Sequence, residues 1–254
     1  MTLREFFTTP RLTMEEFLQR ILYEDADLLV IDKPAGWPVH GDRHHSSNQT
    51  LLALALQYLP PSDFRPAFAQ RLDKETSGLI LMAKTRSALQ SLNRQLKFKK
   101  IQKVYFALLA GEIRLSGSIR LQLKKQMDRE RWLALMAPVR RGGLSARTDY
   151  RRLELLDYAG EKFSCVEARP LTGRTHQLRA HFAAVGYPIL GDDLYGRADL
   201  NRQFHKELGV QRQMLHAVAL KLSHPTTGKP LRFEAPLPDD FSDLLERLRE
   251  HLPT

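Results

Sequence analysis

Gln70-Arg71-Leu72-Asp73-Lys74-Glu75-Thr76-Ser77-Gly78 runs straight into the apolar segment Leu79-Ile80-Leu81-Met82-Ala83. The first part reads as a charged turn and the second as a strand buried on both faces. The chain here hangs a loop of functional groups on a rigid sheet. Asp73 is a candidate nucleophile or base, with Arg71 and Lys74 near enough in sequence to favour its ionised form. Asp, Thr, Ser and Gly are also ordinary turn formers, and Asp73 has a structural reading in which it hydrogen-bonds its own backbone. Taken alone, the segment is read as a turn first.

Around this segment the hydrophobic pattern alternates between short strands and amphipathic helices. Strands are expected at residues 28–31, stopped by Lys33-Pro34-Ala35-Gly36, and at 79–83 and 103–110. Hairpins are expected from 150–156 with 162–168, around Asp157-Tyr158-Ala159-Gly160, and from 217–222 with 230–233, around His224-Pro225-Thr226-Thr227-Gly228. Helices are expected over 14–22, 50–59, 86–98 and 175–185, the last with Gly186 in the C-cap position. A tail helix over 239–251 carries Phe241, Leu244, Leu245 and Leu248 on one face. The most cationic stretch, 120–147, contains Gly142-Gly143 and reads as a strand-and-turn insertion. Strands outnumber helices and adjoin as hairpins, which predicts an α+β fold with a mixed, largely antiparallel sheet and flanking helices. The expected layout is a short N-terminal extension, 1–20, and one domain over 21–254.

Charge narrows the partner. The 254 residues hold 39 Lys and Arg against 29 Asp and Glu, a net charge of +10, with a pI near 9.8. Such a surface attracts polyanions, with nucleic acid the leading class. A membrane surface would need a polybasic amphipathic helix with exposed aromatics, and none is evident. The apolar block at 51–56 is far short of a membrane span. The first twenty residues, with Arg4, Glu15 and Glu16, do not read as a signal peptide. A single cysteine, Cys165, permits no internal disulfide and reads as a buried strand residue. These features point to a cytoplasmic protein with no membrane partner.

Three further segments add polar chemistry. Lys103-Val104-Tyr105 places a tyrosine in a strand, where it has a plain core reading. Arg169-Pro170-Leu171-Thr172-Gly173-Arg174-Thr175-His176-Gln177-Leu178-Arg179-Ala180-His181 opens a helix after a Thr-Gly-Arg turn, too polar for a routine core helix. Leu215-His216-Ala217 leads to His224-Pro225 and Gly228.

Together with Asp32-Lys33-Pro34-Ala35-Gly36, Val39-His40-Gly41, Arg71-Leu72-Asp73 and Gly191-Asp192, this ordered set resembles the RluA-type pseudouridine synthases. The likeness spans roughly residues 21 to 238, and several motifs in order are more specific than any one. It implies a synthase core with a basic RNA-binding cleft, converting uridine to pseudouridine in ribosomal or transfer RNA. It implies roles for three residues: Asp73 as the essential aspartate that attacks the nucleotide or removes its 2′ proton, Tyr105 as the tyrosine packed against the flipped base, and Arg174 as the arginine paired with the aspartate. Arg71 matches the arginine that helps extrude the base. Lys33, His40, His176 and Arg179 join it as expected RNA-binding residues. The reaction needs no metal and no other cofactor, and the expected working state is a monomer. The chain departs from the family pattern at Gln70, where histidine is usual, and an S4-type RNA-binding module is expected to be absent. RNA is then gripped by the catalytic domain, with 120–147 as an extra surface.

Two other readings remain at this point. A metal-dependent nuclease would gather Asp32, Asp73, Asp192 and Asp193 around Mg²⁺, with His40, His44 and His45 as further ligands. A catalytically silent RNA-binding protein would keep the fold alone.

Overall fold

A computed structural model describes residues 12–41, 49–128 and 133–250. His44, His45, Arg129, Arg131 and the start of the N-terminal extension lie outside the described residues. The described chain falls into two compact units, one within Met1–Ile101 and Lys221–Ala235, the other within Gln102–Leu220 and Pro236–Thr254.

The first unit opens with α1 (Met14–Gln19), whose N-terminus is closed by a capping box: Glu16 N–H donates to Thr13 Oγ1 at 3.2 Å, and Thr13 N–H donates to Glu16 Oε2 at 2.7 Å. The expected helix over 14–22 stops early because Ile21–Glu24 alternates in burial and forms strand β1. It pairs antiparallel with β2 (Leu28–Lys33), where Leu28 through Ile31 are fully buried. After α2 (Leu51–Tyr58), capped by Thr50, come the short β3 (Ala67–Phe68) and β4 (Ser77–Ala83), which is buried along its whole length. Both β2 and β3 pair antiparallel with β4. Helix α3 (Arg86–Lys97) buries Ala88 and Leu92 and leaves its cations in solvent.

The second unit carries β5 (Gln102–Ala110), β6 (Ser116–Asp128), β7 (Leu133–Val139), β8 (Leu144–Tyr158) and β9 (Glu161–Pro170), all paired antiparallel in the order β5-β9-β8-β6-β7. The β8–β9 hairpin turns on Ala159 and Gly160, both at positive φ (53° and 78°), the geometry that matches strand twist. The strands reach beyond the expected 150–156 and 162–168 because pairing continues down to Thr148↔Pro170. Helix α4 (Gln177–Ala184) ends at Val185, with Gly186 following at φ 89°. A helix with no sequence expectation, α5 (Ala198–Leu208), comes next. Strand β10 (Leu215–Ser223) turns through His224–Gly228 into β11 (Pro230–Glu234). Helix α6 (Asp239–Glu250) closes the chain.

One apolar core explains why the helices sit where they do. Leu108, Leu156 and Phe163 from the strands meet Leu200 and Phe204 of α5 and the four expected apolar residues of α6, Phe241, Leu244, Leu245 and Leu248. Cys165 lies in this core, and burial pushes its thiol up to about 11, so it is inert packing. No helix among the described residues is long and apolar enough to cross a membrane.

Candidate active site

The expected site residues divide between the units. Lys33, His40, Arg71 and Asp73 belong to the first; Tyr105, Arg174, His176 and Arg179 belong to the second.

In the first unit, the register Lys33↔Gly78 sets the end of β2 beside the start of β4, directly after the Asp73 turn. Thr76 N–H closes that turn on the Asp73 carbonyl at 3.1 Å, and Leu72, Thr76 and Ser77 are buried around it. Asp73 itself is half-buried and Arg71 is exposed. Lys33 is fully buried. Its Nζ donates to the carbonyls of Pro34 (2.8 Å), Trp37 (2.9 Å) and Lys74 (2.8 Å). Lys33, expected as an RNA-binding residue, ties the strand end to the residue following Asp73. His40 is half-buried with its ring edge-on to Phe68. Burial, and then the Arg71 charge, hold its imidazole below the usual range.

In the second unit, Tyr105 is buried in β5 opposite Ala168. The Thr-Gly-Arg turn is organised by Gln177, a residue to which the sequence reading gives no role. Gln177 Oε1 accepts from Thr172 Oγ1 (2.6 Å) and Arg174 N–H (3.1 Å). Its Nε2 donates to the Arg147 carbonyl (2.9 Å) and Thr148 Oγ1 (3.1 Å). One buried amide thus fastens the turn to β8, and the sign of it in sequence was a glutamine in the first turn of a helix that has no solvent-facing reason for one. Arg174 is half-buried and donates from Nε to the Ser145 carbonyl at 3.2 Å. His176, at φ 50°, begins α4, and its Nδ1 lies 3.0 Å from the Tyr195 hydroxyl, which also accepts from Met136 N–H at 2.8 Å.

Arg179, also expected as an RNA-binding residue, is held internally. It is buried, and its Nε and Nη2 donate to the two oxygens of buried Asp192 at 2.7 and 2.9 Å. Its guanidinium also lies 5.1 Å from the centre of the Tyr195 ring. A bidentate pair of this kind occupies the Nε–Nη2 edge of the guanidinium. Asp192 further accepts from the backbone N–H of Leu194 and Tyr195 at 2.9 and 3.0 Å, so the pair fixes the Gly191-Asp192 segment against α4. This use of Asp192, with Asp32 placed 3.8 Å from Arg20, also removes carboxylates that the nuclease reading required. Among the described residues, no group of three or more His, Cys, Asp or Glu is placed to hold a metal.

Residues 27–184 match the sequence profile of a family described as RNA pseudouridylate synthase. The chain is 39% identical over 233 residues to "Ribosomal large subunit pseudouridine synthase C" of Escherichia coli O157:H7, covering 90% of this chain and 70% of that protein. It is 36% identical to "Ribosomal large subunit pseudouridine synthase D" of Haemophilus influenzae, covering 94% and 74%. Among solved structures, "Human RNA Pseudouridylate Synthase Domain Containing 4" superposes with a TM-score of 0.72 at 27% identity, covering 93% of this chain and 95% of that one.

Proposed function

This chain belongs to the RNA pseudouridylate synthase family, an isomerase family, and we propose that it converts a uridine of large-subunit ribosomal RNA to pseudouridine with Asp73 as the essential carboxylate. The substrate class is supported by what the relatives named above act on. Asp73 is supported by the clamp beside it: buried Lys33 joins the Lys74 carbonyl to those of Pro34 and Trp37, while the aspartate side chain stays only half-buried.

The chemistry fits these residues. The N1–C1′ bond of uridine breaks, the uracil turns, a C5–C1′ bond forms, the C5 proton leaves and N1 takes one up. No electron is gained or lost. The conversion calls for an ionised carboxylate at the sugar, an aromatic face for the base and removal of that base from its stack. Tyr105 supplies the face, worth about 1–3 kcal/mol for a stacked base. Arg174 is the cation that the family likeness pairs with the carboxylate, and exposed Arg71 is the residue that displaces the base. The β6–β7 hairpin adds grip, since Arg120, Lys124, Lys125 and Arg140 are exposed along it.

The test is release of tritium from RNA labelled at uridine C5, together with pseudouridine mapping in cells with and without the protein. Asp73→Asn is expected to abolish release while RNA affinity holds. Full release by that variant refutes the mechanism. Loss of the mapped pseudouridine from a transfer RNA rather than ribosomal RNA refutes the substrate assignment.

A further inference from the structure

We propose that Lys103 binds an anionic oxygen of the target nucleotide. The proposal rests on the synthase reading above and adds a substrate contact to it.

Lys103 stands two residues before Tyr105 on β5, so both side chains leave the strand on the same face. The register Tyr105↔Ala168 brings the start of β5 alongside the end of β9, where the chain turns through Thr172-Gly173-Arg174. That turn passes close to the ammonium: a Cβ at Gly173 would lie 3.5 Å from Lys103 Nζ. Glycine leaves that side of the ammonium bare. Within this unit, no described carboxylate, carbonyl or hydroxyl forms a hydrogen bond or ion pair with Lys103. Burial lowers its ammonium pKa, and no neighbouring carboxylate opposes the effect.

Half-buried Lys103 contrasts with the two buried arginines of the unit. Arg179 is met by both oxygens of Asp192, and Arg212 by both oxygens of Asp240, at 2.6 and 2.8 Å. A partly desolvated cation without such a partner is unfavourable, and sites that break this rule are where ligands complete the charge. The missing partner here is an oxygen anion arriving with the RNA, on the strand face that also carries the tyrosine assigned to the base. Two of its oxygens qualify. One belongs to the phosphodiester. The other is a uracil carbonyl oxygen, which takes up negative charge when the electron pair of the N1–C1′ bond leaves with the base.

Full-length wild type, Lys103→Met and Lys103→Arg are compared for melting temperature, RNA affinity across salt, and single-turnover tritium release at saturating RNA. Lys103→Met is expected to melt at or above the wild-type temperature. If the uracil oxygen is the ligand, its single-turnover rate falls by about 10²-fold with affinity kept. If the phosphodiester is the ligand, affinity falls about tenfold and the log–log salt slope becomes shallower by about one, with the saturated rate kept. Lys103→Arg, which keeps the charge, recovers part of either loss. Wild-type rate and affinity in Lys103→Met overturn the proposal. So does a lowered melting temperature with a loss that arginine does not lessen, since that marks a packing role. If wild type itself releases no tritium, the synthase reading fails separately, and the affinity arm alone then decides Lys103.

Discussion

Replacing Lys33 with methionine separates a strut from an RNA contact. The side chain is fully buried and its three hydrogen bonds, at 2.8, 2.9 and 2.8 Å, all end on backbone carbonyls. A hydrogen bond to a charged group contributes about 1.5–3 kcal/mol net, so three bound the loss at roughly 5–9 kcal/mol. Methionine also removes a buried charge and refills most of the volume, which offsets about half. The expected loss is about 3–4 kcal/mol. For a chain of this size each kcal/mol moves the midpoint by about 2–4 °C, giving a fall of roughly 6–16 °C. Trp37 reports it directly, because its carbonyl is one of the three acceptors and its ring is buried. The chain has two tryptophans, so a Trp132→Phe background isolates the signal. Turnover in the folded fraction should fall about 10²-fold, since the released Lys74 carbonyl adjoins Asp73 and a displacement near 1 Å has that effect. RNA affinity and its salt slope should not move. An unshifted midpoint with weakened, less salt-sensitive RNA binding would refute the strut and restore Lys33 to the RNA surface.

Three other outcomes follow from the same geometry. Asp192→Asn strands Arg179 in the interior and should destabilise the chain by about 3–5 kcal/mol in urea unfolding, with Arg179→Met in the same chain restoring part of it. His181 is buried against Thr148, and burial lowers its imidazole from 6.5 to about 4. The unfolded chain therefore binds a proton that the folded chain refuses between those values, so this contribution is complete above pH ~6.5 and is lost as pH falls towards ~4; His181→Asn should flatten the urea midpoint across that window. Lys124 and Lys125 are exposed on β6, and changing both to alanine should weaken RNA binding, reduce the salt slope by about two and leave the saturated rate and the melting midpoint unchanged.

What could be read in the sequence depended on whether burial leaves a period. β2 and β4 show as unbroken apolar runs because both faces are covered. α6 shows because four apolar residues repeat at helical spacing over a charged remainder. α5 has only Leu200 and Phe204 buried among polar neighbours, one spacing and no repeat, so nothing marks it. The motif residues were legible as unusual, but their direction was not. Lys33 meets a carbonyl 41 positions away and Arg179 a carboxylate 13 positions away. Neither partner is visible in a local window, and a buried cation beside a motif reads the same as one that faces RNA.

The distinction lies in what answers each charge. Lys33 ends on three carbonyls, Arg179 on Asp192 and Arg212 on Asp240, so these cations are held by the protein's own oxygens. Removing Lys33 or Arg179 leaves buried acceptors or a stranded carboxylate, and stability must fall. Lys103 and the exposed lysines of β6 leave nothing behind when removed, because no group in their unit was built around them in the same way. For these, stability holds or rises and the RNA terms change instead. Melting temperature and RNA salt slope should therefore move in opposite patterns across the two sets of substitutions. A cation that shifted both together would be one that the protein and the RNA share.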